Sequence, residues 1–549
     1  MSRAPTSAAT KPSRLLFASC NSQHRPQTLW PAIRSRNATA FVWAGDAVYA
    51  DDFDTVYTFG WPRIARLQSR DATPSELAGL LHDQLTHDGY QSLVKDPTVT
   101  ILGALDDHDY GANNGDLTYA HKAANGAAYV DFLTAQKPYR LDAMRQRAVR
   151  GQGVYGVQVF DFSRPVGHEL VDEAEAGIEP DHHEHEYNDN HNGNKESSPS
   201  VLSNQSVAVF LLDVRSNKTP WKQQGLGKYR VDYAADFLGP DQWVWFETAL
   251  RRSTATVNVI VQGLQVHADR YIDGNVVEDW SRFPAAQHRL YQTILQSNVQ
   301  APILVSGDVH MAELLRKDCQ PVGRRQTDGE ADGDHRDANR MLLEVTTSGM
   351  THSWGSHICA RPESSWSCRN AYVDWSMSMG MHVAHHNGAW TDLVDLESAE
   401  EGAKAGIQYN LDLNFGEFEF DWEAKEVKIR IHGNNVNATA PYLSTRWDFD
   451  TLSGKTPAPP TGLVRDRDFD DLRRDLQHHG VEITDRDYVC VAYRGPQTLA
   501  LKTYGCLTST GFSSILLLIP ILIPLILLYW VISGNSPYAK ANKRQLKID

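Results

Sequence analysis

The feature that most limits how this chain can fold recurs along it. A short apolar run is followed at once by an acid, a histidine, an asparagine or a cysteine. "RLLFAS" runs into Cys20 and Asn21. "TAFVWAG" runs into Asp46, with Tyr49 and Asp51 beyond. "TVTILGALDD" runs into Asp106, Asp107, His108, Asp109, Asn113 and Asn114. "ATVNVIVQGLQVH" ends in Gln265 and His267, and "APILVSGDVH" ends in Asp308 and His310. Apolar runs bounded by polar turns read as buried strands. "TPSELAGLLHDQLTHDGYQSLV" has helical spacing, with Thr73 or Ser75 placed to cap it. "GVYGVQVFDF" and "SVAVFLLDVR" add two further strands, and "RMLLEVTTSG", "LNFGEFEFDW" and "EVKIRIHG" make the later part β-rich. Strands alternating with helices predict an α/β domain with buried sheets.

In open α/β sheets, ligands bind at the carboxyl ends of the strands. Five such ends therefore bring Asp, Asn, His or Cys to one edge. Taken singly, a Gly-Asp is an ordinary turn, and "SGDVH" could be a loop with a satisfied histidine. Together they concentrate carboxylates, which repel and resist ionisation unless cations neutralise them. The pattern points to more than one metal ion. Hard oxygen donors favour Mg2+, Mn2+ or Ca2+, whereas a thiolate or phenolate favours iron.

Charge excludes one class of function. The chain has 549 residues, with 53 Lys and Arg against 68 Asp and Glu, for a formal net charge of −15. General nucleic-acid binding needs a basic face, so no nucleic acid is expected as a partner beyond a substrate.

The ordered set of motifs resembles the metallophosphatase (calcineurin-like phosphoesterase) superfamily, and within it the PhoD-like (alkaline phosphatase D) branch. The resembling stretches are "FASCN", "LWPAI", "WAGDAVYADD", "LDDHDYGANNGD", "LLDVR", "VSGDVHMAEL" and "LEVTTSGMTHSWG", spread over about residues 14 to 435. The resemblance implies a four-layer α/β/β/α sandwich with metals between the two sheets. It implies metal ligands at Cys20, Asp46, Tyr49, Asp107, Asn113, Asp308 and His310. Cys20 and Tyr49 would hold a ferric ion, and Asp46 would bridge to Ca2+ or another divalent ion (Mn2+, Mg2+ or Zn2+). His108 and His310 would serve as acid or phosphate donor, with Arg215 as a phosphate clamp. Gln265 and His267 fit the superfamily's lone-histidine strand less closely, as additional ligands. Read from the residues alone, Cys20 is also compatible with a buried apolar cysteine, and Arg215 with a surface ion pair. Ala18, where the family often has Gly, is a mild departure; the polar insertions and the apolar C-terminal run lie outside the shared pattern.

The expected organisation is a flexible 1–13, a PhoD-like domain over 14–450, and a polar linker over 451–511. Two insertions, 164–206 with "EPDHHEHEYNDNHNGNKESS" and 322–339, read as disordered. "FSSILLLIPILIPLILLYWVI", Phe512 to Ile532, is uncharged and long enough at about 1.5 Å per residue to span a bilayer. It is expected as a single transmembrane helix with a basic cytoplasmic tail at 533–549, making the lipid bilayer a partner. The N-terminus shows no signal-peptide core. The catalytic domain is thus expected to face the lumen or outside, as sequons at Asn37, Asn204, Asn217 and Asn437 suggest, or the cytosol as a tail-anchored protein. Cys359 with Cys368, and Cys490 with Cys506, are candidate disulfides.

The resulting expectation is a membrane-anchored, metal-dependent phosphoesterase acting on phosphate mono- or diesters. Two alternatives are a catalytically silent binding domain on the same scaffold and a metal buffer built on the "HHEHE" loop.

Overall fold

A computed structural model describes residues 12–57, 65–171, 177, 202–224, 228–268, 278–323, 339–356, 408–433, 440–459, 464–465 and 467–494. Two large sheets dominate it. In the first, Arg14–Ala18, Ala40–Ala44 and Thr100–Ala104 run parallel. Asn414–Asp421, Glu426–Gly433 and Leu443–Asp448 extend it antiparallel on the other side of Arg14–Ala18. In the second, Ser206–Leu211, Val257–Val261, Pro302–Ser306 and Arg340–Thr347 run parallel. Gly156–Asp161 flanks them on one side, Ala312–Pro321 and Tyr488–Arg494 on the other, all antiparallel.

Strand side chains alternate between faces, and here both faces are apolar. From the second sheet Val207, Val209, Val257 and Val259 join one core with Leu15, Phe17 and Val42 of the first. The intervening Ala208, Phe210 and Ile260 join a second core with Trp243, Phe246, Leu290 and Ile294, on helices Gly239–Arg252 and Pro284–Gln296. The outer face of the first sheet is covered by helices that include Pro74–Thr86 and Lys122–Leu133, through Leu77, Leu81, Tyr129 and Leu133. The order is helix, sheet, sheet, helix. Each large apolar side chain fully buried this way stabilises the fold by about 1.5–3 kcal/mol. Trp30, Trp43, Tyr90 and Phe41 pack as tilted or edge-on rings beneath the first sheet, each pair adding about 0.5–1.5 kcal/mol beyond area.

The capped helix predicted from Thr73 is present. Thr73 accepts from Glu76 N, and the Glu76 side chain accepts from Thr73 N, a capping box. The periodic stretch is broken once, at His87 (ψ 123°), into Pro74–Thr86 and Asp88–Lys95.

Several expectations are corrected. No helix among the described residues is long and apolar enough to cross a membrane. The expected C-terminal transmembrane helix is thus not among the described helices, and neither single-pass membrane placement nor the lipid bilayer as a partner is supported; Phe512–Ile532 lies outside the described residues. The stretch read as a polar linker contributes structure: helix Phe469–His478 and strand Tyr488–Arg494, the latter paired along Ala312–Pro321. Register places Cys490 opposite Cys319, and the two form a disulfide. Cys490 is thus not paired with Cys506; Cys359, Cys368 and Cys506 lie outside the described residues, as do 178–201 of the first insertion and 324–338 of the second.

One buried charge network ties the first sheet together. The Glu417 carboxylate, 0% exposed, accepts from Arg36 Nη2 at 2.8 Å and Arg430 Nη1 at 2.8 Å. His432 Nε2 lies 3.6 Å away and Arg14 Nε 4.0 Å. Burial alone would raise the Glu417 pKa, but His432 and Arg36 outweigh it and hold the group well below the usual carboxylate range. A depressed folded-state pKa gives stability that is present above the unfolded value, about 4.3, and lost as pH falls through the folded value. Glu417→Gln is expected to cost about 3 kcal/mol at pH 7. Urea unfolding of both proteins across pH should show that gap narrowing progressively below about pH 4.

Candidate metal centre

The carboxyl ends of the parallel strands of both sheets meet at one edge. Backbone and side-chain bonds lock them there. Gly349 N and Met350 N both donate to Ser19 O, at 3.3 and 3.0 Å, and Gly307 N donates to Gly263 O at 2.6 Å. Ser19 Oγ donates to Thr347 O at 2.9 Å. The residues that follow the strands are bent sharply inward. Cys20, Asp46, Asp308 and His310 take φ values of 58°, 53°, 64° and 55°. The left-handed region costs an L-residue about 1–2 kcal/mol, and such strain persists where surrounding structure over-determines it, as at functional sites.

The bends converge a set of acids. Oxygens of Asp46, Asp106, Asp107 and Asp308 lie within 4.8 Å of one another, and Asp46, Asp107 and His108 form an overlapping group within the same distance. Cys20 Sγ is 3.4 Å from Asp46 Oδ2 and 3.0 Å from Ser348 Oγ. Tyr49 OH is 3.4 Å from the same Asp46 oxygen and 3.3 Å from His310 Nε2. Gln23 clamps the Tyr49 backbone by accepting from its N–H at 2.9 Å and donating to its carbonyl at 2.7 Å. His108 stacks on Tyr49 at 3.9 Å between ring centroids, and its Nδ1 is 2.5 Å from Asp51 Oδ1. Cys20, Asp46, Tyr49, Asp106 and Asp107 are buried, whereas His108, Asp308 and His310 are half-buried.

These acids are short of positive charge. Burial pushes the Cys20 thiol to about 12, with Asp308 adding repulsion. Burial likewise holds Tyr49, Asp46 and Asp308 well above their ordinary values, with neighbouring Asp106 and Asp107 adding to Asp46 and Asp308. Asp106 is raised by burial to about 7 despite Arg215. Asp107 alone of the four is lowered: burial opposes this, but His108, Arg215 and the Asn114 N–H prevail. His108 is desolvated yet raised well above the usual value by Asp107, Asp51 and Asp46, while burial and His108 push His310 down to about 4. Asp106 Oδ2 and Asp107 Oδ1 are buried and accept no hydrogen bond. Buried acceptors left without donors, beside a thiol and a phenol that cannot ionise alone, fit cations held by this donor set.

The sequence-derived residues divide into two groups. Cys20, Asp46, Tyr49, Asp107, His108, Asp308 and His310 come together at this edge. Asn113 is half-buried, next to Asn114, whose backbone N–H donates to Asp107 Oδ2 at 2.7 Å. Arg215 is fully buried, its Nε 2.6 Å from Asp106 Oδ1 and its Nη1 2.5 Å from Glu278 Oε2. It is spent on carboxylates and is neither a surface ion pair nor a free phosphate clamp. Gln265 donates to Glu313 Oε2 at 2.6 Å, and His267 contacts Tyr291 OH and Leu342 O, both at 3.1 Å. These bonds tie both residues into the second sheet instead of the acid cluster. The sequence reading passed over Asp51 and Asp106 as site residues, although both stand in the quoted motifs. It also passed over Ser348, which stands in "LEVTTSGMTHSWG", and it missed Glu278 and Lys218, which no quoted motif contains. The histidines of the "HHEHE" loop lie outside the described residues.

The model of the PhoD-like phosphatase family matches residues 203–378. That stretch contains Arg215, Glu278, Asp308 and His310, so the PhoD-like resemblance read from the sequence stands. Among solved structures, one described as the structure of PhoD is similar to this chain at 13% identity, with a TM-score of 0.47, over 83% of this chain and 74% of that one. No curated protein sequence matches the chain.

Gly263 permits the close approach of the two sheets. A Cβ there would lie 2.3 Å from Asp106 Cγ and 2.5 Å from its Oδ2. Gly263→Ala is expected to displace Asp106, to destabilise the fold by about 1–3 kcal/mol, and to weaken the rise in melting temperature produced by added Mn2+. A thermal melt at graded Mn2+ concentrations measures both effects.

Proposed function

From the PhoD-like match we propose that the chain is a metal-dependent phosphoesterase that hydrolyses phosphate mono- or diesters at this edge. The single observation that carries the reading is the convergence of four aspartate carboxylates with Cys20, Tyr49, His108 and His310 at the carboxyl ends of strands from both sheets. Asp46, Asp107 and Asp308 would hold hard cations such as Ca2+, Mn2+ or Mg2+, and Cys20 with Tyr49 would add soft-anion donors suited to Fe3+. Asp46, which also meets Cys20, Tyr49 and the His108 backbone N–H, would be the residue shared between two ions. Bound cations would neutralise charge on the phosphoryl oxygens and make a water more acidic.

The chain's own groups do the rest. Asp51 accepts from His108 Nδ1–H, and in the protonated ring, which the neighbouring aspartates favour, Nε2–H is left to donate, 3.9 Å from Asp107 Oδ1. His108 in this orientation donates to a leaving or non-bridging oxygen. His310, also half-buried and touching Tyr49 OH, would be a ligand or second donor. Arg215 positions Asp106 and does not contact substrate. Direct attack by water needs no covalent enzyme intermediate.

The test is hydrolysis of chromogenic phosphate mono- and diesters after supply of iron and calcium. Wild-type protein is expected to turn over at least one class, and Asp46→Asn to lose more than about 100-fold, beyond the range of outer-shell partners. Asp51→Asn is expected to lower kcat about 10- to 100-fold with little change in KM, because it releases His108 without removing a ligand. No turnover by folded, metal-loaded wild-type protein would return the chain to the binding-domain alternative.

A further inference from the structure

The search outside the immediate acid cluster leads to Glu278, a buried carboxylate no motif marks. It is 3% exposed and precedes Asp279, the cap of the short turn Trp280–Arg282. Both of its oxygens are occupied. Oε2 accepts from Arg215 Nη1 at 2.5 Å. Oε1 accepts from Trp221 Nε1 and lies 3.4 Å from Lys218 Nζ. The two cations lead on to different aspartates. Arg215 continues through Nε to Asp106 Oδ1 at 2.6 Å, with Nη2 3.8 Å from Asp107 Oδ1. Lys218 Nζ donates to Asn114 O at 3.2 Å, and Asn114 N donates to Asp107 Oδ2 at 2.7 Å. Lys218 also lies over the Trp221 ring, 4.4 Å from its centroid, a second contact that restrains the ammonium.

Glu278 is thus linked to Asp106 and Asp107, two of the three acids of the "DDHD" turn, without touching either. Its negative charge keeps Arg215 and Lys218 apart and directed along these two chains. Without that charge two buried cations would face each other with one shared anion fewer, and Arg215 would be drawn fully onto Asp106 and Asp107. It would then compete with a metal ion for the two oxygens that accept no hydrogen bond, Asp106 Oδ2 and Asp107 Oδ1. We propose that Glu278 is a positioning residue for the metal centre: through Arg215 and Lys218 it holds Asp106 and Asp107 with one oxygen each turned toward the cations. The proposal rests on the metal-dependent phosphoesterase reading above.

The experiment compares wild-type protein with Glu278→Gln and Glu278→Asp. The glutamine keeps the shape and the acceptor for Trp221 but loses the charge; the aspartate keeps the charge on a shorter arm. Mn2+ binding to metal-stripped protein is followed by titration calorimetry, and ester hydrolysis by kcat and KM at saturating Mn2+. Glu278→Gln is expected to bind Mn2+ about 10- to 100-fold more weakly, the range for outer-shell partners of a metal site. Its kcat should fall while KM changes little, and Glu278→Asp should recover part of the affinity. A protein that only needs Glu278 for folding would melt earlier yet bind Mn2+ with wild-type affinity, and that result overturns the proposal. Wild-type turnover with equal Mn2+ affinity in all three proteins overturns the positioning role alone. Folded wild-type protein that does not bind Mn2+ and hydrolyses neither ester with Mn2+ or after supply of iron and calcium overturns the phosphoesterase reading and this proposal together.

Discussion

Like-charge crowding at one edge of the sandwich is the constraint around which the chain is arranged. Asp46, Asp106, Asp107 and Asp308 present oxygens within 4.8 Å of one another. At an effective dielectric of about 20, two ionised groups at that separation repel by about 3 kcal/mol. Protein cations answer only part of this. Arg215 serves Asp106 and Glu278, His108 serves Asp51 and Asp107, and Lys218 is held by Glu278. Asp46 and Asp308 are left with burial and repulsion raising their pKa values. On the reading proposed above, bound metal ions would supply the charge that is missing.

The sandwich makes that crowding sustainable. Parallel strands from both sheets end at the same level, so one layer of loops can gather donors from residues 20, 46, 107, 308 and 310. Left-handed turns at Cys20, Asp46, Asp308 and His310 aim those donors inward. Glycine supplies the remaining clearance. A Cβ at Gly307 would meet Ala44 O at 2.2 Å, and one at Gly45, itself at φ +88°, would meet Asp106 Cβ at 2.4 Å. The mainly apolar strands below, packed on both faces, hold the strained loops in place.

Much of this was legible in the sequence because it depends on local pattern. Apolar runs ending in Cys20, Asp46, Asp107 and Asp308 located the strand ends, and Thr73 or Ser75 located a helix start, of which the structure uses Thr73. What failed depends on contacts remote in sequence. Arg215 read as a phosphate clamp because its partners, Asp106 and Glu278, lie 109 and 63 residues away. Gln265 and His267 share the strand-end pattern, yet Glu313, Tyr291 and Leu342 claim their side chains. Cys490 has a nearer cysteine in Cys506, but the register of two strands gives it Cys319, 171 residues away. The apolar run at Phe512–Ile532 shows the opposite failing: its composition favoured a membrane-spanning helix, and no described helix meets that requirement.

The most direct test of the central claim is crystallographic. Crystals of the protein prepared with iron and Mn2+ would be measured near the absorption edge of each metal. The account predicts anomalous peaks among Asp46, Asp107 and Asp308, with one beside Cys20 and Tyr49. Full-occupancy protein without a peak there, and with Asp46 and Asp308 hydrogen-bonded as neutral carboxylic acids, would contradict it.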